Sequence, residues 1–133
     1  MSNSSLDVKP LVTFDFDDTL ACRRWDKDDE CFVHMHDNFV LIDLIRDLIA
    51  NDFRVMIVTS RHRTLQSAKE IDDFIKKHNL DVRVKFTNGK FKFSLLMAFN
   101  SIMHWDDDPI EVLKARNMGI FCVLVPPPVG CDE

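Results

Sequence analysis

No run in this 133-residue chain stays apolar for the roughly 18 residues that a membrane-crossing helix needs. Met1 to Lys9 is polar and lacks the apolar centre of a secretory leader, so none is expected. There is no Cys-x-x-Cys pair. Cys22, Cys31, Cys122 and Cys131 lie far apart, which predicts reduced thiols in a cytoplasmic (intracellular) protein. Positive charge is not in excess: 17 Lys and Arg stand against 22 Asp and Glu, for a net charge of -5. Such a chain is not built to coat a nucleic acid nonspecifically, although a local basic patch remains compatible with it. No internal repeat or low-complexity linker appears, and the length is too short for two domains with real cores. What remains is 46% apolar and 29% charged, the composition of a folded protein. The expectation is one domain over residues 10–126, a flexible N-terminus over 1–9 and a C-terminal tail over 127–133.

Apolar runs alternate with helix-periodic stretches. Leu11 to Phe14 barely alternates and predicts a strand buried on both faces. Ala21 to Asp37 is polar and irregular, long enough for a flap and too short for a lid domain. Asn38 can cap a helix to about Asn51, whose apolar residues recur at three- and four-residue spacing. Phe53 to Val58 predicts a second buried strand. Ser67 and Glu70 suit a capping box for a helix ending near His78. Val82 to Phe86 is polar at every second position, as an edge strand would be. A helix over Phe91 to Asn100, a strand over Ile102 to Trp105 and a helix from Pro109 to Asn117 follow. Gly119 lies just past the last helix. Ile120 to Val125 is the final strand, and Pro126-Pro127-Pro128 forbids its continuation. This alternation predicts an α/β fold with a parallel sheet and helices on both faces.

Four constellations fall at strand ends, where open α/β sheets bind ligands. Asp15-Phe16-Asp17-Asp18-Thr19 follows the first strand. An extended backbone aims Asp15 and Asp17 at one face, and paired carboxylates call for a divalent cation or a shared proton. Thr59-Ser60-Arg61 follows the second strand. It reads either as a hydroxyl turn with a solvated arginine or as a phosphate site in which Arg61 forks onto oxygens. Lys90 and Lys92 precede the third helix. Asp106-Asp107-Asp108 follows the fourth strand, and Asp108 can cap the next helix.

In order and spacing these stretches resemble the motifs of the haloacid dehalogenase (HAD) superfamily, with Asp-x-Asp-x-Thr at Asp15 to Thr19. The resemblance runs from about residue 10 to 126. It implies a Rossmann-like five-stranded parallel sheet of order 5-4-1-2-3, a small flap and no cap domain. It also implies Asp15 as nucleophile and Asp17 as acid and base. Thr59 or Ser60, with Arg61 and Lys92, would bind phosphate. Mg²⁺ would be held by Asp15, Asp17 (through its carbonyl) and Asp107, with Asp106 behind or through water. Thr87 to Leu96 looks like the Thr-x-x-x-Phe-Lys pattern of small RNA-repair-type HAD domains, which favours Lys92 over Lys90. Asp18 stands where many members carry glycine. The motif order looks most like the phosphatase half of phage polynucleotide kinase-phosphatase. The expected activity is therefore a Mg²⁺-dependent phosphomonoesterase working through an aspartyl-phosphate. Its expected partner is a phosphorylated substrate, a nucleic-acid 3′ end first and a phosphoprotein or nucleotide next, with Arg23, Arg24, Arg61 and Arg63 as a basic rim.

Other readings stay beside this one. A small-molecule phosphatase and a non-catalytic Mg²⁺- and phosphate-binding regulatory domain share the same residue types. A receiver domain would want its aspartate at the end of the third strand, where Phe86-Thr87 stands. Cys22, Cys31, His34 and His36 do not match a common structural zinc spacing. His62 reads as a polar loop or part of a substrate rim, and His104 as a satisfied core histidine. Trp25 and Phe32 read as an aromatic contact within the flap.

Overall fold

The computed structural model describes residues 9–126. The flexible ends expected over 1–9 and 127–133 therefore lie almost wholly outside the described residues. Among the described residues, seven strands and four helices follow one another. They are β1 (Leu11–Phe14), β2 (Ala21–Asp26), β3 (Cys31–Asp37), α1 (Phe39–Ala50), β4 (Arg54–Thr59), α2 (Leu65–Lys77), β5 (Arg83–Phe86), α3 (Phe93–Ala98), β6 (Ser101–Asp106), α4 (Pro109–Asn117) and β7 (Cys122–Leu124). Five of the strands form one parallel sheet ordered β5-β4-β1-β6-β7, with β1 in the centre. Numbered in chain order among themselves, those five read 5-4-1-2-3 from the β7 edge. The other two strands, β2 and β3, pair antiparallel as a separate hairpin, the flap.

Because side chains alternate along a strand, β1 feeds two cores. Val12 and Phe14 pack with Val55 and Ile57 of β4 under α1 and α2, through Ile42, Ile45, Ile71 and Phe74. Leu11 packs with Met56 and Val58 under α3 and α4, through Leu96, Val112 and Ala115. Helices thus cover both faces, which is why β1 and β4 read as continuous apolar runs. At roughly 25 cal/mol per Å² of apolar surface removed from water, these two layers are the main favourable term in folding.

Local signals set the element ends. Asn38 caps α1, its side chain accepting from Leu41 N–H while its own amide donates to the Thr19 carbonyl at 3.0 Å. That second bond ties the start of α1 to the loop after β1. Asp108 caps α4 ahead of Pro109, as its side chain accepts from Ile110 N–H. Helix α2 starts earlier than a Ser67–Glu70 box would place it. Thr64, in extended conformation, accepts from Ser67 N–H and is the cap, and Ser67 lies inside the first turn. Glu70 pairs with Arg61 instead. Helix α3 is also shorter than expected, since the chain up to Lys92 is held in the loop that enters the site.

Cys22 is disulfide-bonded, while Cys31 and Cys122 are free. The expectation of four reduced thiols is corrected, and the reduced compartment inferred from it loses that support. Among the described residues no helix is long and apolar enough to cross a membrane.

Candidate functional site

The central strand ends in a tight loop. Asp15 N–H still belongs to the sheet, donating to the Trp105 carbonyl at 2.8 Å. The chain then curls, with Leu20 N–H returning to the Phe16 carbonyl at 2.9 Å and Asp18 N–H to the Ala21 carbonyl at 2.8 Å. Asp18 adopts a positive φ of 59°, the left-handed conformation that favours glycine and that Asp tolerates. This curl sends the two acids to different partners. Asp15 keeps the strand's direction and meets Lys92, whereas Asp17 meets Arg61 and Arg23. Extended geometry would have kept them together; the turn after Phe14 separates them.

Asp15 is buried. Its Oδ1 accepts from Lys92 Nζ at 2.9 Å, and its Oδ2 from Thr19 Oγ1 at 3.1 Å. The same hydroxyl lies 3.2 Å from Asp107 Oδ1. One hydroxyl carries one proton, so it can donate to only one of these carboxylates at a time. Asp15, Asp106 and Asp107 each offer an oxygen, all within 4.8 Å of one another. Against three carboxylates stands one ammonium, Lys92, which is 2.7 Å from Asp106 Oδ2. Burial, with Asp106 and Asp107 adding to it, holds the Asp15 carboxyl well above the usual carboxylate range, and Lys92 only partly offsets this. Burial alone would depress Lys92, but Asp15 and Asp106 outweigh it and hold the ammonium charged.

Behind this cluster lies a buried polar chain. Asp106, the last residue of β6, is pushed upward by burial, but His104 and Lys92 outweigh that and keep it below its ordinary value. His104 Nε2 lies 2.8 Å from Asp106 Oδ2, and its Nδ1 lies 2.7 Å from Thr13 Oγ1. Asp106 Oδ1 accepts from Asp108 N–H at 3.1 Å. Both Asp106 oxygens are therefore engaged, and Asp107 is the more open acid of the pair.

A loop delivers Lys92 by clasping the end of β4. Thr87 N–H donates to the Thr59 carbonyl at 2.9 Å and Gly89 N–H to the Ser60 carbonyl at 2.7 Å. Gly89 has φ +83°, and a Cβ there would come within 3.2 Å of His62 Nε2. Thr87 Oγ1 donates to the Lys90 carbonyl at 2.6 Å, and Lys90 itself stays exposed. Lys92 N–H then donates to Glu111 Oε1 of α4 at 3.0 Å. Lys92, not Lys90, is the lysine beside Asp15.

The second network centres on Asp17. Arg61 grips both its oxygens, through Nε at 2.9 Å and a terminal nitrogen at 2.8 Å, and reaches Glu70 at 3.0 Å. Arg23 adds a contact at 3.2 Å. The Asp17 hydrogen bonds, followed by those to Glu70, outweigh burial and raise the Arg61 guanidinium further still. Thr59 is buried and its Oγ1 accepts from Arg61 N–H at 3.2 Å, while Ser60 is exposed. Among the described residues no hydrogen bond joins Thr59 or Ser60 to the carboxylates. Beside Asp17 a cleft of about 450 Å³ opens between flap and α2, lined by Phe16, Phe32, Phe74, Arg23, Arg61 and Lys77.

Four residues of the site escaped sequence reasoning. Thr19 was visible as the last position of the Asp-x-Asp-x-Thr stretch, yet its contact with Asp107 was not. His104 and Asp106 are two apart on one strand, the spacing that puts side chains on one face. Glu70 looked like a capping residue, and nothing in the sequence set Glu111 apart. The zinc grouping fails: Cys22 is disulfide-bonded, and the sole metal-compatible cluster among the described residues is the aspartate triad. No protein-family model matches the chain, and no curated protein matches it.

Proposed function

We propose that this chain is a capless HAD-superfamily phosphatase, a Mg²⁺-dependent phosphomonoesterase that works through an aspartyl-phosphate. One observation carries the proposal. At the carboxyl edge of the central strand, buried Asp15 lies between a lysine ammonium and a second, more open carboxylate, Asp107. The donor set fits a hard divalent cation: oxygens only, with more negative charge than Lys92 can balance. Asp15, Asp107 and the Asp17 carbonyl would hold Mg²⁺, with Asp106 behind them, and the ion would neutralise charge on the transferring phosphoryl group.

In the first step an Asp15 carboxylate oxygen attacks phosphorus while the bond from phosphorus to the leaving oxygen breaks. Asp17 gives that oxygen a proton. In the second step Asp17 takes a proton from water, the water oxygen attacks phosphorus, and the bond to Asp15 breaks to release phosphate. Lys92 stays against Asp15 throughout. Thr59 ends β4, the strand beside β1, and Ser60 and Arg61 follow it, from where they would bind the phosphate oxygens. For Asp17 to move a proton, the Arg61 fork must release at least one of its oxygens, and an incoming phosphate offers Arg61 an equivalent anionic partner.

A second reading of the substrate has an observation in its favour. Two of the four rim arginines, Arg23 and Arg61, are already paired, sharing Asp17, with Glu70 as a second partner of Arg61. The flap cleft has the size of a small-molecule pocket. Both features support a small phosphomonoester over a nucleic-acid 3′ end. The test of the main proposal is hydrolysis of p-nitrophenyl phosphate with Mg²⁺ by the chain and by Asp15→Asn. Turnover that vanishes in a folded Asp15→Asn supports it. Wild-type turnover in that variant refutes the covalent mechanism, and no turnover in either leaves the regulatory binding domain as the better reading.

A further inference from the structure

We infer that His104 is a positioning residue. Its Nε2–H orients Asp106 and, through Asp106, the Lys92 ammonium beside Asp15. The catalytic consequence rests on the phosphatase reading; the arrangement does not.

The arrangement starts with a register shift. Strands β1 and β6 pair Leu11 with Ser101 but Val12 with Met103, so Ile102 is an extra residue on β6. Thr13 therefore stands opposite His104 instead of Met103. Alternation on β6 then places Asp106 on the same face as His104, and alternation on β1 places Asp15 on the same face as Thr13.

Donor chemistry fixes the direction of the bond to Asp106. A carboxylate only accepts, so the His104 nitrogen 2.8 Å from Asp106, Nε2, carries the proton. The other ring nitrogen, Nδ1, lies 2.7 Å from Thr13 Oγ1, so both sides of the ring are held. Ser101 Oγ lies 2.8 Å from Thr13 Oγ1 and donates to the Met103 carbonyl at 3.0 Å. Two N–H donors, from His104 and Lys92, converge on Asp106 Oδ2, and Asp108 N–H takes Oδ1. Asp106 has no free rotation left, and the flexible stem of Lys92 is aimed by an anion that cannot turn. If His104 lost its N–H, Asp106 Oδ2 would keep Lys92 as its one donor, and the anion that aims Lys92 would be held less firmly.

The test uses the whole chain. Imidazole ¹⁵N NMR of the wild type is expected to show a proton on His104 Nε2. His104→Leu should lower kcat on p-nitrophenyl phosphate about 10–100-fold with KM little changed, and His104→Gln, which keeps an N–H, should recover most of that loss. A wild-type His104 with no proton on Nε2 overturns the inference. So does a folded His104→Leu with wild-type kcat, or a Gln variant no better than Leu. If His104→Leu does not fold, His104→Gln carries the test: a kcat near wild type supports the inference, and a loss of tenfold or more overturns it. If the wild type hydrolyses nothing, the phosphatase reading fails, and the Nε2 proton of the wild type still decides the bond to Asp106.

Discussion

Lys92→Met is the sharpest probe of the carboxylate cluster. Methionine keeps the length and apolar stem of lysine and removes only the charge. Lys92 is almost fully buried and lies 2.9 Å from Asp15 and 2.7 Å from Asp106. Breaking a buried pair by removing one partner costs about 3–5 kcal/mol, because the other charge is left unpaired. Against a total of roughly 5–15 kcal/mol the variant should fold, with Tm lower by roughly 10–20 °C at neutral pH. The pH dependence follows from the signs. Lys92 has a raised folded pKa, so its contribution is complete below the ordinary lysine range and lost only as pH rises through the higher value. Asp106 has a lowered one, so its contribution is present above the ordinary carboxylate range and lost as pH falls through the lower value. Burial already raises Asp15, and Lys92 is the partner that restrains it. Without Lys92, Asp15 takes up a proton more readily. The gap in Tm between variant and wild type should therefore be widest near neutral pH and narrow toward about pH 5. Mg²⁺ should narrow it too, supplying the missing positive charge by mass action on the native state. Thermal melts at both pH values, with and without Mg²⁺, decide the matter. A variant within about 2 °C of wild type at neutral pH, or a gap that widens on acidification, refutes the burial of Lys92 between these carboxylates.

Asp107→Asn should weaken the rise of Tm with Mg²⁺; an unchanged titration removes Asp107 from the metal site. Asp37→Asn should lower Tm at neutral pH, because the buried Asp37 anchors the flap to His78 at 2.6 Å and to Lys77 at 3.0 Å of α2. Burial would raise Asp37, but Lys77 and His78 outweigh it, so this contribution should disappear as pH falls through a value below the ordinary carboxylate range, which melts on the acid side will read. If the substrate is small, a nucleoside 3′-monophosphate should equal an oligonucleotide 3′-phosphate in kcat/KM, with little effect of salt. A marked oligonucleotide preference that shrinks with added salt would return the nucleic-acid reading.

The sheet was legible because its signal is local and redundant. Val55 to Val58 is apolar at every position, and only burial on both faces explains such a run. Asn38, Asp108 and Pro109 announced helix starts by their own chemistry. Element ends were less legible: Thr64 and Ser67 are both competent caps, and only the entry path of the chain from Arg61 selects Thr64. Of the site, the acids at strand ends could be read, since charge at the end of an apolar run is visible in one dimension. Their pairings could not. Lys90 and Lys92 are indistinguishable by type, and a Gly89 turn stitched to Ser60 separates them.

Arg61 shows where the limit of such reading lies. Its guanidinium fork suits a phosphate and suits a carboxylate equally well. From the sequence the phosphate role was the natural inference, because nothing there places Asp17 within reach. The structure puts Asp17 in the fork, Glu70 on the remaining nitrogen and the Phe16 ring 5.4 Å from its centre. These partners keep Arg61 ordered, so little side-chain entropy remains to be lost when an anion arrives. They also set a threshold: an arriving anion gains only the difference between its own bonds and those it displaces. A dianionic phosphate monoester clears that threshold more easily than a monoanionic diester. The pairing that occupies Arg61 therefore also selects for the monoester.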